Sequence, residues 1–300
     1  GRENFDGAVS TGAALAMAAL PVARLHRIPT LYIESVSRVQ GPSLTGRMLH
    51  ALRGTEMRTQ HPAWAGKRWG VHPSVLETFE SIPRATGDRP LKLFVTLGTI
   101  EGYRFDSLVD AVLASGLANE ETTWQLGFTD REDLPGHAVT QMESAEFERL
   151  AREADVVITH AGVGTILGLL EKGIYPVAVV RRSARDEHVD DHQSQIAQLI
   201  SQSGIGSAVE VDQLSAELIR DAAGRAVAVR GFGGGARRVR GRHHRNPRRR
   251  PGRLRQRPVA SAADPGHRPG LVLRCPCLCT GGFLGGGGSG LRVHISSSGS

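Results

Sequence analysis

Apolar residues in the first 230 positions fall into short, nearly unbroken runs that alternate with longer amphipathic segments. The runs at residues 7–9, 30–33 and 55–59 read as strands, and residues 13–26 and 43–52 read as the helices between them. Pro21 lies inside the first helix and is expected to kink or split it, and Ser43 is placed to cap the second. A second series begins at residue 91, with strands at 91–97, 123–128, 138–141 and 155–159 and helices at 105–114 and 144–153. Apolar strands that alternate with helices point to a parallel α/β sheet. Between the two series, residues 79–90 gather two prolines, a glycine and several charges, and so read as a linker between a first unit, residues 1–78, and a second, residues 91–230.

The stretch at residues 154–193 carries the densest candidate chemistry. An apolar run empties into His160, Ala161, Gly162, Val163, Gly164 and Thr165, followed by a short apolar helix, another strand and an acidic cluster ending in Asp191, His192 and Gln193. A strand that leads through glycines into a helix leaves backbone N–H groups aimed at the helix N-terminus, where an anion is the natural occupant. Taken alone, the Gly-x-Gly turn also fits tight helix–strand packing, and His160 also fits a hydrogen-bonded core histidine. Convergence favours a site, because Gly98-Thr99, residues 160–165 and residues 191–193 each follow a predicted parallel strand and so share one sheet edge. Open α/β sheets bind ligands at that edge. In the first unit, Ser10-Thr11-Gly12 follows one strand and Glu34, Ser35 and Arg38 follow the next. Those residues suit either a surface loop or a second site edge.

Charge changes the picture of the last quarter. The overall net charge of +7 conceals two unlike parts: residues 1–230 carry a net −6 and residues 231–300 a net +13, with 14 Arg and a single acid, Asp264. The first part is an ordinary, mildly acidic globular sequence, so the high pI does not imply a nucleic-acid partner. The tail lacks the periodicity of a core-forming segment and is expected to be disordered. It suits a basic arm for polyanions, a natural extension, or the product of a reading-frame error in a GC-rich gene; the abrupt change, inside a segment expected as the last helix, favours the third. All three cysteines, Cys275, Cys277 and Cys279, lie in this tail with a spacing unlike a structural zinc site, so no disulfide is expected in the globular part. No run of about 18 apolar residues is present. The chain opens at Gly1 almost directly on a strand, which reads as a fragment lacking its N-terminal part.

With these residues in place, the second unit resembles the donor-binding domain of family-28 type glycosyltransferases of GT-B fold, through FVTLGT at 94–99, FDSLVDAV at 105–112, ADVVITHAGVGTI at 154–166 and EHVDDHQ at 187–193. Within that family it is most similar to the donor subunit of the two-part enzyme that adds the second GlcNAc to dolichyl-pyrophosphate-GlcNAc. The first unit resembles the companion acceptor-side subunit through VSTGAALA at 9–16 and LYIESVSRVQGPSLTGRML at 31–49. Bacterial exopolysaccharide glycosyltransferases resembling the same pair occur as two chains and as one. The resemblance implies two Rossmann-like domains with parallel sheets, the N-terminal one truncated. It also implies inverting, metal-independent transfer of a sugar from a UDP-sugar to a polyprenyl-pyrophosphate-linked acceptor, peripherally at the cytoplasmic membrane face, with a partner glycosyltransferase chain as an option and no cofactor. On the donor side it implicates Gly98, Thr99, residues 160–165, Asp191, His192 and Gln193; on the acceptor side, Ser10, Thr11, Gly12, Ser35 and Arg38. For the general base that an acceptor hydroxyl needs, Glu34 is the first candidate and His160 the second. One departure stands out: where much of the family carries an acidic ribose ligand this chain has Gly168, so either nearby Glu171 substitutes or ribose binding is weaker and the nucleotide is left open.

Overall fold

The computed structural model describes residues 5–99, 101–182, 193–230 and 271–273. The first sheet contains strands β1 (Ala8–Ser10), β2 (Thr30–Ile33), β3 (Glu56–Thr59) and β4 (Trp69–Val71), with helices α1 (Ala13–Leu25) and α2 (Leu44–Leu52) as crossovers. Every pairing in it is parallel. Ser43 caps α2 as expected, its side chain accepting from the Gly46 N–H at 3.0 Å. Helix α1 continues through Pro21 as one helix; the proline lies in its last two turns, where one missing N–H removes little of the ladder. The core of this unit packs Ala16 and Leu20 of α1 and Leu49 of α2 against Tyr32, Met57 and Trp69.

The second sheet contains β6 (Leu93–Thr96), β7 (Thr123–Gln125), β8 (His137–Val139), β9 (Val156–His160), β10 (Pro176–Val179) and β11 (Ser207–Val209). Between the two sheets comes β5 (Phe79–Pro83). Helices α3 (Asp106–Ala114), α4 (Ser144–Glu153), α5 (Val163–Glu171), α6 (Gln193–Gln202) and α7 (Ala216–Ala223) follow in chain order. Strand order in this sheet is β11-β10-β9-β6-β7-β8, again with parallel pairings throughout. Alternate residues of a strand point to opposite faces. Leu93, Val95, Val156 and Ile158 accordingly enter one apolar cluster while Phe94 and Val157 enter another, where Phe147 of α4 meets Phe94 edge to face with ring centroids 5.1 Å apart. Burial on both faces is the reason these strands are apolar without alternation. The expected α/β architecture with two parallel sheets is the one observed.

Two segments differ from the sequence expectation. Residues 225–229 are not the end of a last helix but strand β12 (Arg225–Val229), antiparallel to β5 inside the segment expected as a linker. Arg-Ala-Val-Ala-Val alternates small and branched residues, and its backbone finds a partner edge in β5. Within the tail expected to be disordered, Leu271–Leu273 forms β13, parallel to β1. The remainder of the tail lies outside the described residues, as do its three cysteines.

Candidate functional site

In the second sheet the strand order reverses between β6 and β9. In open α/β sheets the carboxyl ends of the strands at such a reversal are where ligands bind. The sequence places its glycines there. Gly98, two residues beyond β6, has φ +80°, a conformation that a side chain disfavours, and a Cβ there would stand 2.8 Å from the His160 ring. Gly162 also approaches this imidazole, so closely that a Cβ would overlap Nε2. Gly127, past the end of β7, packs its backbone directly on the Gly98 carbonyl. His160, the last residue of β9, is thus 9% exposed and held against two backbone turns, and its carbonyl accepts from the Gly162 N–H at 2.8 Å.

Gly162 is also the N-cap of α5, with no side-chain cap on the helix. The first-turn backbone N–H groups of Val163, Gly164 and Thr165 therefore have no side-chain cap at this strand end, a favourable arrangement for an anion. Ala161 is buried beneath them and packs in the main core. Gly164, Gly168 and Glu171 follow at spacings of four and three, so they share one stripe of α5, opposite the buried Ile166, Leu169 and Leu170. A Cβ at Gly168 would meet open space, and Glu171 is exposed. Of the acidic cluster, Asp191 and His192 lie outside the described residues, and Gln193 opens α6.

Sequence reasoning missed Arg181. It follows β10 at the same sheet edge and is 1% exposed. Its guanidinium Nη2 donates to the Leu97 carbonyl, immediately before Gly98, and its Cζ lies 4.8 Å from the centroid of the Phe105 ring. The signal that could have found it is a cation directly after an apolar strand in a unit whose other strand ends were already under suspicion.

In the first sheet, Ser10 and Glu34 both sit at carboxyl strand ends. Ser10 is buried and its hydroxyl accepts from the Gly12 N–H at 3.4 Å, where Gly12 caps α1; Thr11 is exposed. Glu34 is 1% exposed. Its carboxylate accepts from the Ser43 N–H (2.9 Å), the Ser43 hydroxyl (3.0 Å), the Tyr32 hydroxyl (3.1 Å) and the Ser35 N–H (3.2 Å). Burial pushes the Tyr32 phenol well above its usual range, reinforced by the Glu34 charge and opposed by Ser43, so Tyr32 stays a donor. Ser35 pairs its hydroxyl with Ser37 at 3.0 Å, and the Arg38 N–H donates to the Ser35 carbonyl at 3.0 Å. Gln60 and His61, which the sequence reading passed over, hold this loop: Gln60 Nε2 donates to the Glu34 carbonyl at 2.9 Å, and His61 Nε2 lies 2.6 Å from the Val36 carbonyl. Val36 joins the cluster that includes Leu97 and Val180.

Among the described residues no group of His, Cys, Asp and Glu is arranged to hold a metal ion, and no helix is long and apolar enough to cross a membrane. An open groove lined by Gly54, Thr55, Lys67 and Arg68 lies at the amino ends of β3 and β4, the edge opposite the strand-end residues above.

These features share the carboxyl edge of a parallel α/β sheet, and residues 109–224 match the sequence profile of the glycosyltransferase family 28 C-terminal domain. Similar solved structures include Acinetobacter baumannii MurG, at 20% identity and a TM-score of 0.45, covering 72% of this chain and 63% of that one. The calicheamicin glycosyltransferase CalG4 is similar at 16% identity and a TM-score of 0.41, covering 69% and 63%. The spinosyn rhamnosyltransferase SpnG, solved with thymidine diphosphate, is similar at 16% identity and a TM-score of 0.39, covering 67% and 60%. The chain thus spans less than two thirds of the length of these structures. No curated protein matches it.

Proposed function

We propose that the chain belongs to an inverting glycosyltransferase that moves GlcNAc or a related hexose from a UDP-sugar to a polyprenyl-pyrophosphate-linked saccharide, peripherally at the cytoplasmic face of the cell membrane. The observation that carries this reading is the close approach of Gly98 and Gly162 to His160 at the strand-order reversal, beside the start of α5, which has no side-chain cap. Backbone N–H groups of Gly98, Thr99 and residues 162–165 are suited to the donor diphosphate and to the charge that grows on it as it leaves. We assign Asp191, His192 and Gln193 to the sugar hydroxyls, and Glu171, on the stripe that passes through Gly168, to the ribose. Ser10, Thr11, Gly12, Ser35 and Arg38 form the acceptor side.

For the base, Glu34 and His160 remain the two candidates. The four hydrogen bonds on Glu34 fit a role in fixing the 35–38 loop and the start of α2. The second reading is a UDP-sugar-binding portion without catalytic activity on its own, which either needs a partner glycosyltransferase chain or is inactive outright.

A thermal-shift titration with UDP, UDP-GlcNAc and UDP-glucose tests the donor site. At 100 times its Kd a ligand adds about 2.7 kcal/mol to stability, so an upward shift is expected; no shift with any of the three would remove both readings. Transfer of label from UDP-GlcNAc to a polyprenyl-pyrophosphate sugar then separates the enzyme from the binding portion.

A further inference from the structure

We propose that Arg181 is a positioning residue for the donor diphosphate, acting through the turn at Leu97, Gly98 and Thr99; the inference rests on the donor-site reading above. Arg181 leaves the sheet beyond β10, yet its guanidinium donates to the carbonyl at the end of β6, and β9 lies between those two strands. One side chain therefore ties together the strand ends on either side of His160. The other face of the guanidinium lies against Phe105, the residue that caps α3 and whose N–H donates to the Thr129 hydroxyl at 2.8 Å. The turn held in this way is the one whose Gly98 stands at φ +80° against the His160 ring and whose carbonyl packs on Gly127.

Space filling alone does not require an arginine here. A buried cation carries a desolvation cost that an apolar side chain of similar length avoids, and replacing buried charged groups with apolar ones is often neutral or stabilising. Hydrogen-bonding the Leu97 carbonyl fixes the plane of the Leu97–Gly98 peptide, and with it the direction of the Gly98 N–H assigned above to the diphosphate. A buried positive group in contact with that turn, in a region of low dielectric, also favours an anion bound to it. In the donor-site reading above this turn meets the diphosphate and Glu171 the ribose, so the effect is expected on the diphosphate and not on the nucleoside.

The test compares uridine, UMP and UDP binding to the full chain and to R181M, R181K and R181Q by titration calorimetry or competition. R181M is expected to weaken UDP about tenfold or more while leaving uridine within about twofold, with R181K closer to the native chain than R181Q. An equal loss of uridine and UDP would show a purely structural role and overturn the proposal, as would UDP binding by R181M indistinguishable from native. If R181M does not fold, the R181K and R181Q pair decides, and equal UDP affinities there overturn it. Failure of the native chain to bind UDP at all would remove the donor-site reading itself, whereas native binding with unaffected variants removes this inference alone.

Discussion

Glu34 shows how a residue's surroundings redefine a role suggested by its place in the chain. Just past a strand end, it reads in the sequence as an acid within reach of a ligand; in the structure its carboxylate accepts from four donors and lies against Gly46, where a Cβ would overlap Oε2. Glu34→Gln brings an amide NH2 to a place lined by donors. It is therefore expected to cost about 1–3 kcal/mol in a denaturant melt and to leave UDP binding unchanged. Unaltered stability with abolished transfer would instead identify Glu34 as the base. His160 and Arg181 carry the same lesson on the donor side. The histidine was legible because a Gly-rich turn follows it, and the arginine was not, because its significance depends on Leu97 and Phe105, more than 70 residues away in sequence.

At the scale of elements, α5 is the most informative. Its apolar face is buried in the core, while Gly164, Gly168 and Glu171 form the other stripe. An interior glycine weakens a helix by about 1 kcal/mol relative to alanine, and the position is open, so Gly168→Ala is expected to raise stability by up to about that amount in thermal melts. Gly168→Glu places a carboxylate on the stripe proposed to face the ribose and is expected to tighten UDP binding; weaker binding would argue that the stripe faces elsewhere. Most strands were legible as short unbroken apolar runs, and most helices by the period of their apolar face. The three-residue strand β4 and the strand β12 were not. Trp-Gly-Val is too short to show a pattern, and Arg-Ala-Val-Ala-Val is ambiguous until β5 offers an edge to pair with.

At the scale of the whole molecule, β12 closes onto β5, the segment expected as a linker, and Val227 is buried in the main core. A chain ending at residue 224 loses that contact and is expected to be less stable by about 2 kcal/mol or more, the order of one buried valine. A chain ending at residue 230 is expected to keep UDP binding intact. Equal melting of the two shortened chains would show that the β5–β12 pair contributes nothing to stability.

The sequence by itself determined that strands buried on both faces alternate with helices, that glycines and hydroxyls cluster at strand ends, and that residues 231–300 are chemically unlike the rest. Those properties are local, set by the period of burial and by backbone freedom. Only the tertiary structure decided that the strand order reverses between β6 and β9, which brings Gly98 and Gly162 against the His160 ring and Arg181 onto the carbonyl of Leu97. Strand order arises from crossover direction and long-range packing, and no short window of residues records it.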